Sequence, residues 1–145
     1  MKYLIFYSLI VLSLLACDQR DGTTPPKGLE DLRGQWVVIN YWAQWCKPCI
    51  EEIPELNSLD QDYAEVTVLG VNYDGASGAE LEQQRQQLGV TFASLGEDPA
   101  EQLGQTTPVV LPTTFIVNPQ GQLVETLIGP QTLESLTQAT HQGEN

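Results

Sequence analysis

From residue 29 onward the apolar positions follow first a strand-like and then a helical period. "QWVVINYW" (35–42) is a nearly continuous run of apolar, β-branched and aromatic residues, the pattern of a strand buried on both faces. "KPCIEEIPELNSLDQDY" (47–63) switches to helical spacing, with Ile50, Ile53, Leu56 and Leu59 along one side and Pro54 placed to kink the helix. "VTVLGVN" (66–72) predicts a second buried strand. "GAELEQQRQQLG" (78–89) predicts a polar helix with Leu81, Arg85 and Leu88 on one side, stopped by Gly89, and "DPAEQLG" (98–104) a short one. "PTTFIVN" (112–118) and "QLVETLIG" (122–129) are two further strands, and the "NPQG" between them predicts an antiparallel hairpin. "TLESLTQATH" (132–141) follows as a helix begun by Thr132.

This order predicts an α/β fold. Strands joined through helices must run parallel, and a hairpin adds an antiparallel edge. The result is a small central mixed sheet with helices on both faces, the arrangement of the thioredoxin fold. At 145 residues the chain has room for one such domain, assigned to residues 29–145.

The first residues read differently. Met1 and Lys2 precede "YLIFYSLIVLSLL", an apolar run too short to span a bilayer comfortably and typical of a signal-peptide core. The run ends in "LLAC" (14–17), which resembles the lipobox of bacterial lipoproteins. That resemblance implies cleavage of a signal at residues 1–16 and acylation of Cys17. Residues 17–28 then form the lipidated cysteine and a flexible, Pro- and Gly-containing tether. The expected location is extracytoplasmic, anchored by lipid to the cytoplasmic membrane. Asp18 resembles the signal that retains lipoproteins in the inner membrane of many Gram-negative bacteria.

Charge narrows the partners. With 19 acidic and 6 basic residues the formal charge is −13, and no basic patch is available for phosphates. Nucleic-acid binding is therefore excluded as a function class.

Export changes what the cysteines mean, because thiols persist in oxidising compartments only if oxidised, lipidated or re-reduced. With Cys17 assigned to lipid, Cys46 and Cys49 in "YWAQWCKPCI" are the one remaining pair. Structural zinc needs four N or S ligands, and the chain offers this pair and a single distant histidine, His141. A purely structural disulfide here would close too small a loop to stabilise much. Redox exchange fits better. Cys46 falls where a strand ends, and the N–H groups and dipole of the following helix favour a thiolate there. Lys47 adds a positive charge nearby, opposed by Glu51 and Glu52. Cys49, one turn inward, is placed to resolve a mixed disulfide.

The segment "NYWAQWCKPC" resembles the active site of thioredoxin-like proteins, and "LPTTFIVNPQG" resembles their second signature. With "LRGQWVVINYWAQWCKPC", the chain is most similar over roughly residues 29–140 to the TlpA/ResA-like branch. These are exported, membrane-tethered thiol:disulfide oxidoreductases, some serving cytochrome c maturation. The resemblance implies Cys46 as nucleophile, Cys49 as resolving cysteine and a redox disulfide between them. It makes Pro112 a cis-proline after Leu111, with both residues and Trp45 forming the substrate-binding surface, and Pro54 the helix-kinking proline. It implies no organic cofactor and no metal. Disulfide-bearing exported proteins (apocytochrome c among the possibilities) and a membrane thiol reductant are the implied partners.

The chain also departs from the pattern. Thioredoxins themselves carry a buried aspartate six residues before the first cysteine, where it assists proton transfer, and here that position is Asn40. Some exported members use a glutamate after the next strand. The matching stretch, "VNYDGASG", offers Asp74 as the only candidate proton relay. Two other functions stay open: a thiol peroxidase of the peroxiredoxin type, whose Pro-x-x-x-Thr-x-x-Cys pattern "YWAQWC" lacks, and a non-catalytic binding module.

Overall fold

A computed structural model describes residues 28–142. The lipobox, Cys17 and the tether up to Lys27 lie outside the described residues. Among the described residues five strands form one sheet: β1 (Trp36–Trp42), β2 (Val66–Asn72), β3 (Ala93–Ser94), β4 (Thr113–Val117) and β5 (Leu123–Ile128). Three α-helices accompany them: α1 (Lys47–Asp62), α2 (Gly78–Leu88) and α3 (Leu133–Ala139). Their order across the sheet is β3-β2-β1-β4-β5. The three strands β1, β2 and β3 run parallel, while β4 is antiparallel to both β1 and β5. The parallel crossovers and the antiparallel hairpin follow the sequence expectation. The two-residue strand β3 does not, because so short a segment carries no period of its own and exists only through pairing with Leu69 and Gly70.

Alternation along β1 builds the two faces. Val38, Asn40 and Trp42 point to the helix layer, and Val37, Ile39 and Tyr41 to the opposite side. On the first face Val38 packs with Ile53, Leu56 and Leu59 of α1, Leu136 of α3, and Phe92. Val37, Ile39 and Tyr41 pack on the second with Phe115, Val117 and Leu29. Helices were expected on both faces. All three α-helices lie on the first, while the second is covered by two 3-10 helices, Leu29–Leu32 and Glu101–Leu103, with their flanking loops. The segment read as a short helix at 98–104 is thus a single 3-10 turn, ended by Gly104 at φ 70°.

Local chemistry explains the boundaries. Gly89 ends α2 in the left-handed conformation at φ 72°, a position that favours glycine. Thr132 caps α3, its hydroxyl accepting from the Ser135 N–H while Ser135 Oγ accepts from the Thr132 N–H. In the hairpin, Asn118 Oδ1 accepts from the N–H groups of Gln120 and Gln122. Helix α2 is polar, as expected, but the residue it buries is Gln84, held by the Asn72 side chain at 2.9 Å, while Leu81 and Leu88 on the expected side are half-buried.

Candidate active site

Cys46 and Cys49 sit at the junction of β1 and α1. β1 ends at Trp42, a turn through Ala43–Trp45 follows, and Cys46 is the N-cap of α1. Pro48 stands in the first turn of that helix, where its missing N–H leaves nothing unsatisfied. The two cysteines are joined by a disulfide. The Cys46 sulfur also accepts the Cys49 N–H at 3.3 Å, so the helix start points a donor at the outer sulfur. Both are buried, with Cys49 the deeper at 1% exposed against 4%. Trp42 and Ala43 enclose them, with Leu81, Leu88 and Leu111 packed on the same cluster.

Leu111 brings in the second signature. The Leu111–Pro112 peptide bond is cis, and Pro112 leads directly into β4. The Pro112 carbonyl accepts from the Gly129 N–H at 2.9 Å, tying this loop to the end of β5. Trp45, Cys46, Cys49, Leu111 and Pro112, separated by up to 67 positions, therefore occupy one end of the sheet. That end is where the parallel strands β1 and β2 finish.

Beneath the cysteines lies a polar network that sequence reading missed. Glu52 is 2% exposed and belongs to the buried face of α1 with Cys49, Ile53, Leu56 and Leu59. Its Oε1 accepts from Asn40 Nδ2 at 2.6 Å, and its Oε2 from the Gln131 N–H at 2.8 Å. Asn40 is fully buried and donates its second amide hydrogen to Thr114 Oγ1 at 3.0 Å. Burial pushes the Glu52 carboxyl up to about 7, against the lowering effect of the two hydrogen bonds from Gln131 and Asn40. Asn40, at the position of the thioredoxin aspartate, thus holds a carboxyl supplied by the helix instead. The signal was available: Glu52 stands three residues after Cys49 and four before Leu56, on the helix's apolar side.

Asp74, the proton-relay candidate, lies elsewhere. It is exposed, and its Oδ2 accepts from Trp45 Nε1 at 2.9 Å. Trp45 is 65% exposed and meets Tyr73 edge-on, with ring centroids 6.4 Å apart. Tyr41 and Trp42 are fully buried, as their place in the strand predicted. The Tyr41 hydroxyl donates to Asp98 at 2.6 Å, and burial together with that carboxylate pushes its pKa well up. Burial raises Asp98, but hydrogen bonds from Thr107, Tyr41 and the Ala100 N–H outweigh it and hold the carboxyl below the usual range. Lys47 pairs with Glu51 at 3.7 Å on the open surface, where such a pair contributes little.

A mixed sheet with a Cys-x-x-Cys pair at the start of α1 and a cis-proline loop against it defines a thioredoxin-fold protein. The chain belongs to the AhpC/TSA family, whose sequence pattern matches residues 15–126. Among its relatives, the thiol-disulfide oxidoreductase ResA of Bacillus anthracis is 34% identical over 110 residues, covering 74% of this chain and 63% of the relative. The thiol:disulfide interchange protein HelX of Rhodobacter capsulatus is 35% identical over 122 residues, 80% of this chain and 65% of the relative. The matches thus span just under two thirds of those proteins. The crystal structure of StoA from Bacillus subtilis superposes with a TM-score of 0.61 at 27% identity, over 74% of this chain and 84% of that one. A DsbF homologue from Corynebacterium diphtheriae gives 0.67 at 26% identity, over 79% and 75%.

Proposed function

We propose that this protein is a thiol:disulfide oxidoreductase that reduces disulfides of exported proteins. The observation that carries the reading is the Cys46–Cys49 disulfide at the N-terminus of α1, with the Cys49 N–H aimed at the Cys46 sulfur. In the reduced pair that N–H and the helix dipole stabilise a Cys46 thiolate. The thiolate attacks one sulfur of a partner disulfide and forms a mixed disulfide, and the other partner sulfur leaves as a thiolate. Cys49 then loses its proton and attacks Cys46, releasing the second partner sulfur and closing Cys46–Cys49. Two electrons pass from this protein to its partner, with no metal or organic cofactor in the step. A membrane thiol reductant returns the pair to the dithiol.

Glu52 supplies the proton acceptor in this reading. It lies one helical turn from Cys49 and is poised to exchange protons near neutral pH. Exposed Trp45 and half-buried Leu111 form the surface that the partner meets, together with the loop at the buried Pro112. The names of the relatives support the reaction class, and the resemblance to the TlpA/ResA-like branch, some of whose members serve cytochrome c maturation, makes apocytochrome c one candidate partner. The location we propose is the outer face of the cytoplasmic membrane, reached through a lipid on Cys17. Among the described residues no helix is long and apolar enough to cross a membrane.

Insulin reduction tests the activity. The dithiothreitol-reduced protein should reduce insulin disulfides and become oxidised at Cys46–Cys49, one insulin disulfide opened per protein. Absence of transfer would leave the non-catalytic module as the better reading, and peroxide consumption in place of insulin reduction would establish the thiol peroxidase.

A further inference from the structure

The turn that carries the nucleophile is fastened from one side by side chains outside the redox pair. Residues 43–46 are closed by the Cys46 N–H donating to the Ala43 carbonyl at 3.1 Å. Two side chains of this turn reach across to the β2–α2 unit. Gln44 Nε2 donates to Gln87 Oε1 of α2 at 3.0 Å, and Trp45 Nε1 donates to Asp74 Oδ2 at 2.9 Å. The acceptor loop is itself held. The Tyr73 N–H donates to the Trp42 carbonyl at 2.9 Å, and the Gly75 N–H to the Asn72 carbonyl at 3.1 Å. The buried Asn72 side chain accepts the Ala76 N–H at 3.0 Å and donates to Gln84 at 2.9 Å. Asp74 is thus a fixed acceptor, set by α2 and the end of β1.

What it fixes is a large exposed ring beside Cys46. An indole with two-thirds of its surface in water has little packing to choose its rotamer. The Asp74 carboxylate and the edge-on contact with Tyr73 make that choice. We propose that Asp74 is a positioning residue for partner docking: it holds the Trp45 ring against Tyr73 and so presets the aromatic wall that a disulfide-bearing polypeptide meets beside Cys46. The inference rests on the oxidoreductase reading. Its physical content is pre-organisation: a ring already ordered loses less freedom when a polypeptide docks on it. A small disulfide reaches the sulfur with little use of the wall, whereas a polypeptide needs it.

The test compares two oxidants on the pre-reduced full chain, insulin and the small disulfide cystamine. Losing one charge-assisted hydrogen bond at a partly exposed site should lower the insulin-to-cystamine rate ratio about fivefold to tenfold in Asp74→Ala. The loss should appear as a higher half-saturating insulin concentration. Asp74→Asn keeps an acceptor and should recover most of the ratio. In a Trp45→Phe background, which has no indole N–H, Asp74→Ala should change the ratio less than twofold. The Trp45 indole N–H resonance should move in Asp74→Ala. An unchanged ratio in Asp74→Ala, a full effect persisting in Trp45→Phe, or an unmoved resonance each overturns the proposal while leaving the oxidoreductase reading intact. A wild type inert to both disulfides defeats that reading, and the docking role with it.

Discussion

Glu52→Gln isolates the buried carboxyl beneath the cysteine pair. The change keeps shape and volume and removes ionisation. Burial raises the Glu52 carboxyl from 4.5 to about 7, so the folded protein holds this proton more tightly than the unfolded chain does. Between these two pH values the folded state therefore carries more protons, and stability falls as pH rises. At about 1.4 kcal/mol per unit, the displacement removes about 3 kcal/mol by the time the group is ionised. Below pH 4 this loss is absent. In Glu52→Gln it never develops. Burial also raises Asp60, against the Val68 N–H, and Asp98 is lowered, but both are present in either protein and cancel in the difference. The substitution also weakens one of two accepted hydrogen bonds, a penalty that does not vary with pH. Urea unfolding of wild type and variant from pH 4 to 8 measures the effect. Both proteins should be kept oxidised, so that neither Cys46 nor Cys49 titrates. The stability of the variant relative to wild type should rise by about 3 kcal/mol across that range. A difference that stays flat from pH 4 to 8 would refute a raised Glu52 and remove it as the proton acceptor for Cys49.

Other perturbations address the remaining parts. Cys46→Ala should abolish disulfide exchange, whereas Cys49→Ala should accumulate mixed disulfides on Cys46, visible on non-reducing gels; a partner trapped on Cys49 would reverse the assignment. Gly70→Ala should destabilise the domain by about 1–3 kcal/mol in urea melts, because a Cβ there meets the Trp42 indole at 2.8 Å and the Phe92 ring at 3.0 Å. Cys17→Ala should shift the protein from the membrane to the soluble fraction, and a variant as firmly bound as wild type would end the lipoprotein reading.

Elements whose cause is local can be read along the chain. The apolar run of β1, the helical spacing of Ile53, Leu56 and Leu59, the Asn118–Gly121 turn and the Thr132 cap all act within a few residues, and each element forms where its pattern lies. The redox pair was legible for the same reason, since two cysteines three apart at a strand–helix junction carry their chemistry in their spacing. The rest depends on which distant segments meet in space. β3 exists because Leu69 and Gly70 offer an open edge to Ala93 and Ser94. Gln84 is buried because Asn72 lies opposite it. Glu52 follows Cys49 closely in the sequence and Asp74 does not, yet the sequence does not say that Asp74 falls on the surface against Trp45 and Glu52 beneath the sheet's end against Asn40. Which carboxyl is shielded from water depends on what packs over it. Asn40, Thr114 and Gln131, the groups that meet around Glu52, are separated by up to 91 positions along the chain. Desolvation is a property of that assembled neighbourhood, and no local pattern encodes it.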